Sequence, residues 1–217
     1  MAILSLHPQD WHPMPSNESS TPVLWFITAF VAGFVVLSLE MLGFRFLAPY
    51  FGYSTYVWGG LLGVIMAALS VGYYFGGALA DRRPEAAPVF DLILYATLHL
   101  ILVLILYKKL LGWLSDSGII LGSILGTGLL FGPAMVLLGM VPPFLIRLLA
   151  HEDNVGVTAG KIFAISTWGS LLGTFLTSFV LIPEFGSLKT LTGLILMLLV
   201  LYSIGISSRR KMAAGIG

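Results

Sequence analysis

The chain contains no cysteine and few charged residues. The absence of cysteine excludes disulfides, thiolate metal sites and cysteine nucleophiles, and it leaves the redox compartment undetermined. Only 10% of the residues are charged and the net charge is +1, so no overall field attracts a polyanion. We therefore expect no nucleic-acid partner.

Motifs of metal sites and of common hydrolases are also absent from the sequence. The four histidines stand at positions 7, 12, 99 and 151, and no two of them have helical spacing. No G-x-S-x-G motif occurs that could present a serine nucleophile. The sequence therefore predicts no metal, no cofactor and no catalytic residue, and catalysis by this chain alone is the least favoured function.

Apolar residues dominate instead, at 58% of the chain, with a mean hydropathy of +0.98. This balance is typical of a polytopic membrane protein. Residues 1–22 contain no Lys or Arg, so they lack the basic region of a signal peptide and are predicted to form a polar arm. About 20 apolar residues cross a bilayer, and this length predicts six spans at about 23–48, 54–80, 89–108, 118–140, 160–182 and 188–207.

The distribution of cations predicts the orientation. With the N-terminus in the cytoplasm, seven cations lie inside and four outside: Arg82, Arg83, Arg147, Lys161, Arg209, Arg210 and Lys211 against Arg45, Lys108, Lys109 and Lys189. We therefore expect a multi-pass protein of the cell inner membrane with both termini cytoplasmic. Residues 211–217 are then a cytoplasmic tail.

Short motifs recur along the chain. WGGLLG at 58–63 returns as WGSLLG at 168–173, and the pair Phe-Gly at 75–76 returns at 185–186 with the same offset of 110 residues. RFLA at 45–48 returns as RLLA at 147–150. Three spans per copy is an odd number, so the second copy enters the membrane from the opposite side. The sequence predicts an all-α fold of two inverted three-helix repeats, 23–108 and 109–210.

Glycines spaced by four residues predict close helix packing. Lipid supplies no hydrophobic force between helices, so small residues must allow direct backbone contact. This reasoning selects Gly59, Gly63, Gly72, Gly76, Gly118, Gly122, Gly126, Gly169 and Gly173. Packing within one subunit is favoured over a dimer motif at each pair.

Three longer runs resemble a known family: LEMLGFRFLAPYFGYSTYVWGGLLG at 39–63, GYYFGGALADRR at 72–83 and AGKIFAISTWGSLLGTFLTSFVLIPEFG at 159–186. Together they resemble the membrane module of the membrane-fused spermidine synthase-like proteins. In that family a soluble aminopropyltransferase-like domain usually follows the spans. These 217 residues contain no Gly-rich turn of a soluble nucleotide-binding domain, so the resemblance implies that a separate partner supplies any such chemistry.

The stretch GGALADRR also resembles the loop between the second and third spans of major facilitator transporters, although Pro84 and Glu85 replace the expected residues. Six spans in two inverted triplets are half of such a transporter. Asp81 is predicted to anchor this loop by pairing with Arg82, Arg83 or a neighbouring helix end.

Ionisable residues inside the spans are the remaining candidate site, because each is costly in lipid. Glu40 lies in the first span and His99 in the third, and a Glu40/His99 pair could relay a proton or bind a cation. A hydrogen bond between helices without turnover is the simpler alternative. Arg45 is about 140° around the helix from Glu40, so we expect no same-face pair. Pro142-Pro143 is expected to end the fourth span and to leave a short interfacial helix that carries Arg147.

Three functions remain open on this basis. The chain could be an accessory subunit that docks a soluble or membrane protein, or the anchor of a separate aminopropyltransferase-like enzyme. It could instead be a permeation module for a small, cationic solute such as a polyamine, with Glu40 in the path. The first two are favoured, with the lipid bilayer and either a protein partner or a second copy as the binding partners.

Overall fold

The fold is built entirely from helices. A computed structural model describes residues 22–83, 85–150 and 154–213. Within these ranges 94% of the residues are helical and none forms a strand, which confirms the all-α prediction. The helices are α1 (Pro22–Phe51), α2 (Thr55–Arg82), α3 (Ala87–Leu114), α4 (Ile119–Leu130), α5 (Gly132–Gly139), α6 (Val141–Leu149), α7 (Val155–Leu176) and α8 (Ile182–Ala213).

Most of these helices match the thickness of a bilayer. In the part of the chain that the structure describes, five helical segments are long and apolar enough to cross a membrane: Val23–Phe51, Thr55–Arg82, Ala87–Ser117, Gly132–Leu149 and Val155–Ser208. Ile119–Leu130 is apolar but shorter. The chain is therefore a multi-pass membrane protein by the length and composition of its helices.

The region predicted as one fourth span is broken twice. The first break is at Phe131, just before Gly132-Pro133, and the second is at Met140, just before Pro142-Pro143. Proline has no N–H to donate to the preceding turn, so each proline stands in the first turn of a new helix. The second break was expected from the sequence. The first was not, although Gly-Pro is a recognised helix breaker. Phe144 and Leu145 are fully buried, so α6 packs against the rest of the bundle. Its position along the membrane interface stays a prediction.

The segment from Val155 to Ser208 also contains two irregularities. Residues Thr177–Leu181 form a π-helical turn between α7 and α8. Gly186 has φ 80° and ψ 163°, a conformation that only glycine adopts readily, and it interrupts α8 near its start. A continuous helix of 54 residues would be about 80 Å long, far more than a bilayer requires. Gly186 therefore divides this segment.

The third helix extends beyond the predicted end of the third span. The third span was expected to end at residue 108, yet α3 continues to Leu114. Lys108 and Lys109 lie inside this helix with exposed side chains. Long cationic side chains can extend to the membrane surface while their backbone stays helical. A short 3₁₀ turn, Ser115–Ser117, and the positive φ of Gly118 then lead into α4.

Candidate functional site

Helices α1 and α7 are more than a hundred residues apart in the chain, yet their backbones are in direct contact. On α7, Gly169 faces the carbonyl of Phe30 and Gly173 faces that of Phe34, with no room for a methyl group at either glycine. In return, Gly33 of α1 faces the backbone of Ser166. The residue numbers of the paired positions increase in the same direction along both helices, so α1 and α7 run parallel. We call this contact seam A.

Hydroxyl groups complete seam A. Ser170 donates to the carbonyl of Gly33 at 3.1 Å, Ser38 approaches the carbonyl of Gly173 at 3.4 Å, and Thr177 donates to the hydroxyl of Ser38 at 2.8 Å. Hydrogen bonds between helices are a source of association in lipid. The sequence reading missed these hydroxyl residues. The available signal was their four-residue spacing beside Gly169 and Gly173, as in Ser166 and Ser170.

A second seam has the same design. On α2, Gly72 faces the carbonyl of Val136, and Gly76 faces the backbone of Met140. These pairs also rise together, so α2 runs parallel to α5 and α6. Each seam therefore places two glycines, four residues apart, against two backbone segments that are four residues apart. We call this contact seam B.

The other selected glycines differ in their surroundings. A Cβ at Gly122 would collide with the Phe51 ring and the Leu114 carbonyl, and one at Gly126 would press on Leu111 and Leu47. Apart from the adjoining residues of its own helix or turn, no described residue would lie within 4 Å of a methyl group added at Gly59, Gly63 or Gly118. The described residues place no neighbouring helix against these three glycines. Gly59 and Gly63 are on a face of α2 turned away from its neighbours, and Gly118 serves a turn with φ 84°.

A small cleft lies where seams A and B meet. Gly33 of α1, Leu69 and Tyr73 of α2, Gly139 of α5, and Ser166 and Ser170 of α7 contribute to its wall. Its volume is about 70 Å³. Ligand pockets usually measure roughly 300–1,000 Å³. The cleft is therefore large enough for a few water molecules and too small for a polyamine.

Glu40 lies one turn beyond the cleft. Val36 and Leu37 line the cleft on α1, and Glu40 follows them at the helical spacing of three or four residues. Its side chain is half-buried. No group in the described ranges forms a hydrogen bond or an ion pair with it. A carboxyl at this depth must reach water or another polar group.

His99 on α3 forms a hydrogen bond with α4. Its Nε2 lies 3.0 Å from the carbonyl oxygen of Leu130, the last residue of α4. A carbonyl only accepts, so Nε2 carries the hydrogen and donates it. This carbonyl stands at the break before Gly132-Pro133, where regular helical hydrogen bonding stops. His99 therefore provides a donor for the Leu130 carbonyl at the break after α4. The structure does not bring His99 into a hydrogen bond with Glu40.

The predicted loop anchor finds its partner on another helix. Asp81 Oδ1 accepts from Arg147 Nε at 3.0 Å, which joins the end of α2 to the end of α6. Arg82 and Arg83 are exposed and form no ion pair with Asp81. Arg45 lies near the C-terminal end of α1, is exposed, and forms no ion pair within the described residues.

Polar groups in the interior are otherwise satisfied. Every buried side-chain nitrogen or oxygen in the described chain has a hydrogen-bond partner. Several threonines bond to the carbonyl four residues earlier, as Thr97 does to Ile93 at 2.6 Å. Among the described residues, no three His, Asp or Glu side chains lie close enough together to hold a metal ion.

Comparisons with known proteins were made at three levels. No family model matches the chain. No curated protein matches it, and no solved structure does. Function must therefore be argued from the chain's own helices and side chains.

Proposed function

We propose that this chain is an integral membrane accessory or anchoring subunit that works with a protein partner. The observation that carries the proposal is the packing of the described residues: glycine seams bring backbones into contact, buried side-chain polar atoms are paired, and the cleft between the seams holds about 70 Å³. A scaffold requires such packing, whereas a solute path requires a larger polar cavity.

The architecture that we propose has six crossings. Division at Gly186 gives α7 and α8 one crossing each, and α4 to α6 together make one crossing parallel to α2. Gly205 near the end of α8 approaches the ring of Phe90 near the start of α3, as expected if α8 returns across the membrane. The cation distribution supports cytoplasmic termini and, with them, an inner-membrane location.

Two inverted repeats are part of this proposal. Exchange of α1 with α4–α6, and of α2 with α7, converts seam A into seam B. An inverted pair of three-helix units has this relation. The register differs from that of the repeated hexapeptide, because Gly169 in seam A corresponds to Gly72 in seam B, while WGSLLG aligns Gly169 with Gly59.

The partner that we propose is a soluble aminopropyltransferase-like protein. The support is the resemblance of residues 39–63, 72–83 and 159–186 to the membrane module of the spermidine synthase-like proteins. A second membrane subunit and a second copy of this chain are the alternative partners.

A permeation module for a small cation is the second candidate function. The specific observation in its favour is Glu40, which is half-buried, lies beside the cleft and forms no ion pair with any described residue. Opening of the cleft between α2 and α7 would bring this carboxyl to a water-filled path.

Gentle purification separates these functions. The tagged chain is extracted in a mild detergent, its stoichiometric companions are identified by mass spectrometry, and the same chain alone is tested for polyamine uptake in liposomes. An unrelated tagged multi-span protein is the control. We expect a stoichiometric companion and no uptake by the isolated chain. A monomer that accumulates polyamine would contradict the anchoring role.

A further inference from the structure

Arg45 on α1 and Glu184 in the first turn of α8, which continues from α7, lie equally far along the chain beyond seam A. Arg45 lies eleven residues beyond Phe34 on α1, and Glu184 lies eleven residues beyond Gly173 on α7 and the segment that follows it. The Gly173–Phe34 contact fixes the relative height of the two parallel helices. Equal advances along both helices therefore bring Arg45 and Glu184 to about the same level, roughly 16 Å beyond that contact at 1.5 Å per residue.

Eleven residues also make about three turns of an α-helix. Arg45 is part of the continuous helix α1, so it projects from nearly the same face as Phe34, which is the face in contact with α7. Glu184 would likewise project toward α1 if the chain from Gly173 onward were a regular α-helix. The two opposite charges would then face each other.

The π-helical turn prevents this alignment in the present structure. Thr177–Leu181 lies between Gly173 and Glu184, and a π turn closes its hydrogen bond one residue later than an α turn. The residues beyond it are consequently rotated backward about the helix axis relative to the seam. Both Arg45 and Glu184 are exposed, and neither forms an ion pair within the described ranges.

An ion pair of this kind is present at the opposite end of the bundle, where it joins two helix ends. Beyond seam B, Asp81 on the glycine helix accepts from Arg147 on the helix that supplies the carbonyls. Beyond seam A, Glu184 is on the glycine helix and Arg45 is on the helix that supplies the carbonyls. The basic members also begin the repeated motif, RFLA at 45–48 and RLLA at 147–150.

We propose that Arg45 and Glu184 form an ion pair beyond seam A, as Asp81 and Arg147 do beyond seam B, in a second conformation in which the Thr177–Leu181 turn becomes α-helical. The segment between Thr177 and Gly186 is the moving part. Gly186, with its positive φ, separates this segment from the rest of α8, so it can rotate without carrying the whole helix.

Disulfide and bis-maleimide cross-linking can test the proximity, because the chain has no cysteine of its own. The double variant Arg45→Cys/Glu184→Cys is compared with Asp81→Cys/Arg147→Cys as the positive control and with Arg45→Cys/Asp81→Cys, at opposite ends, as the negative control. We expect partial cross-linking of the test pair. Deletion of Phe179, an exposed residue of the π turn, should raise that yield at least threefold. Failure of the test pair to cross-link above the negative control, or a yield unchanged by the deletion, would overturn the proposal.

Charge reversal provides a test that does not depend on cysteine. Arg45→Glu and Glu184→Arg should each lower the melting temperature in detergent at low salt, and the double reversal should recover most of the loss. The recovery should fade as salt is raised, because exposed pairs are screened. Additive losses in the double variant at low salt would show that the two charges do not meet.

Discussion

Arg147 Nε donates to Asp81 Oδ1 at 3.0 Å, and this ion pair joins the ends of α2 and α6. The two side chains come from positions 66 residues apart, and the glycine contacts of seam B bring their helices together just before them. The Arg147 side chain is 35% exposed and the Asp81 side chain is 69% exposed, so water screens the attraction. The pair therefore orients the helix ends more than it stabilises the fold.

Neutralising this pair should have a small effect. Asp81→Asn and Arg147→Gln are each expected to lower the free energy of unfolding by about 0.2–1 kcal/mol, and the double variant should lose no more than either single one. Reversible denaturation in mild detergent, analysed as a double-mutant cycle, measures the coupling. Losses of several kcal/mol would show that the pair is more strongly shielded than its exposure indicates.

The repeated hexapeptide offers a matched pair of glycine substitutions. Gly173→Ala should destabilise the protein by about 1–3 kcal/mol. The added methyl group would meet the Phe34 carbonyl, and the backbone of α1 at Phe34 cannot move aside. Gly63→Ala occupies the same place in the other copy of the motif, where nothing lies within 4 Å. It should change stability by less than about 0.5 kcal/mol.

Melting temperature and yield of the purified variants check this prediction. Equal losses at both glycines would mean that the face of α2 carrying Gly63 is covered in the intact protein. A harmless Gly173→Ala would remove seam A as a close contact.

His99 should matter through the hydrogen bond that it donates. His99→Ala leaves the Leu130 carbonyl without this donor at the break between α4 and α5, and we expect a loss of about 1–3 kcal/mol. His99→Gln keeps an N–H donor and should recover part of that loss. Thermal unfolding in detergent gives the comparison. Identical stability of the Ala and Gln variants would show that ring packing, rather than the hydrogen bond, is the role of His99.

Glu40 distinguishes the two candidate functions. It forms no hydrogen bond or ion pair with the described chain, so neither Glu40→Gln nor Glu40→Leu should destabilise the isolated protein. For an anchoring subunit, Glu40→Gln should also leave partner recovery unchanged. The comparison requires melting temperatures, pull-down yields and uptake in liposomes for all three proteins. A stable Glu40→Gln variant that loses uptake shown by the unsubstituted chain would favour permeation.

The orientation predicts the location of two reporter fusions. A reporter joined after Arg83 and another joined after Arg210 should both be cytoplasmic, because the six proposed crossings and the cation distribution would put both points on the same side. Paired alkaline phosphatase and fluorescent protein fusions measure this, with a fusion after Leu114 as the control on the opposite side. A periplasmic signal after Arg210 alone would indicate an odd number of crossings.

The structure revises the sequence interpretation most clearly at the repeated motif. WGGLLG and WGSLLG are nearly identical, yet Gly169 and Gly173 are packed against α1, while no neighbouring helix of the described chain lies against Gly59 or Gly63. A motif shows that a helix can present small residues to a neighbour. It does not say whether a neighbour is placed on that side, since this depends on the direction in which each helix leaves its loop.

The helical class and the membrane setting were determined by the sequence itself, because long uncharged apolar segments have few other stable structures in lipid. The break at Pro142 was also local enough to predict. Only the tertiary structure decided that His99 donates to Leu130, that Asp81 pairs with Arg147 and that α1 lies parallel to α7. These relations join residues 31 to 139 positions apart. They arise from how the helices pack, which the periodicity of any single helix does not contain.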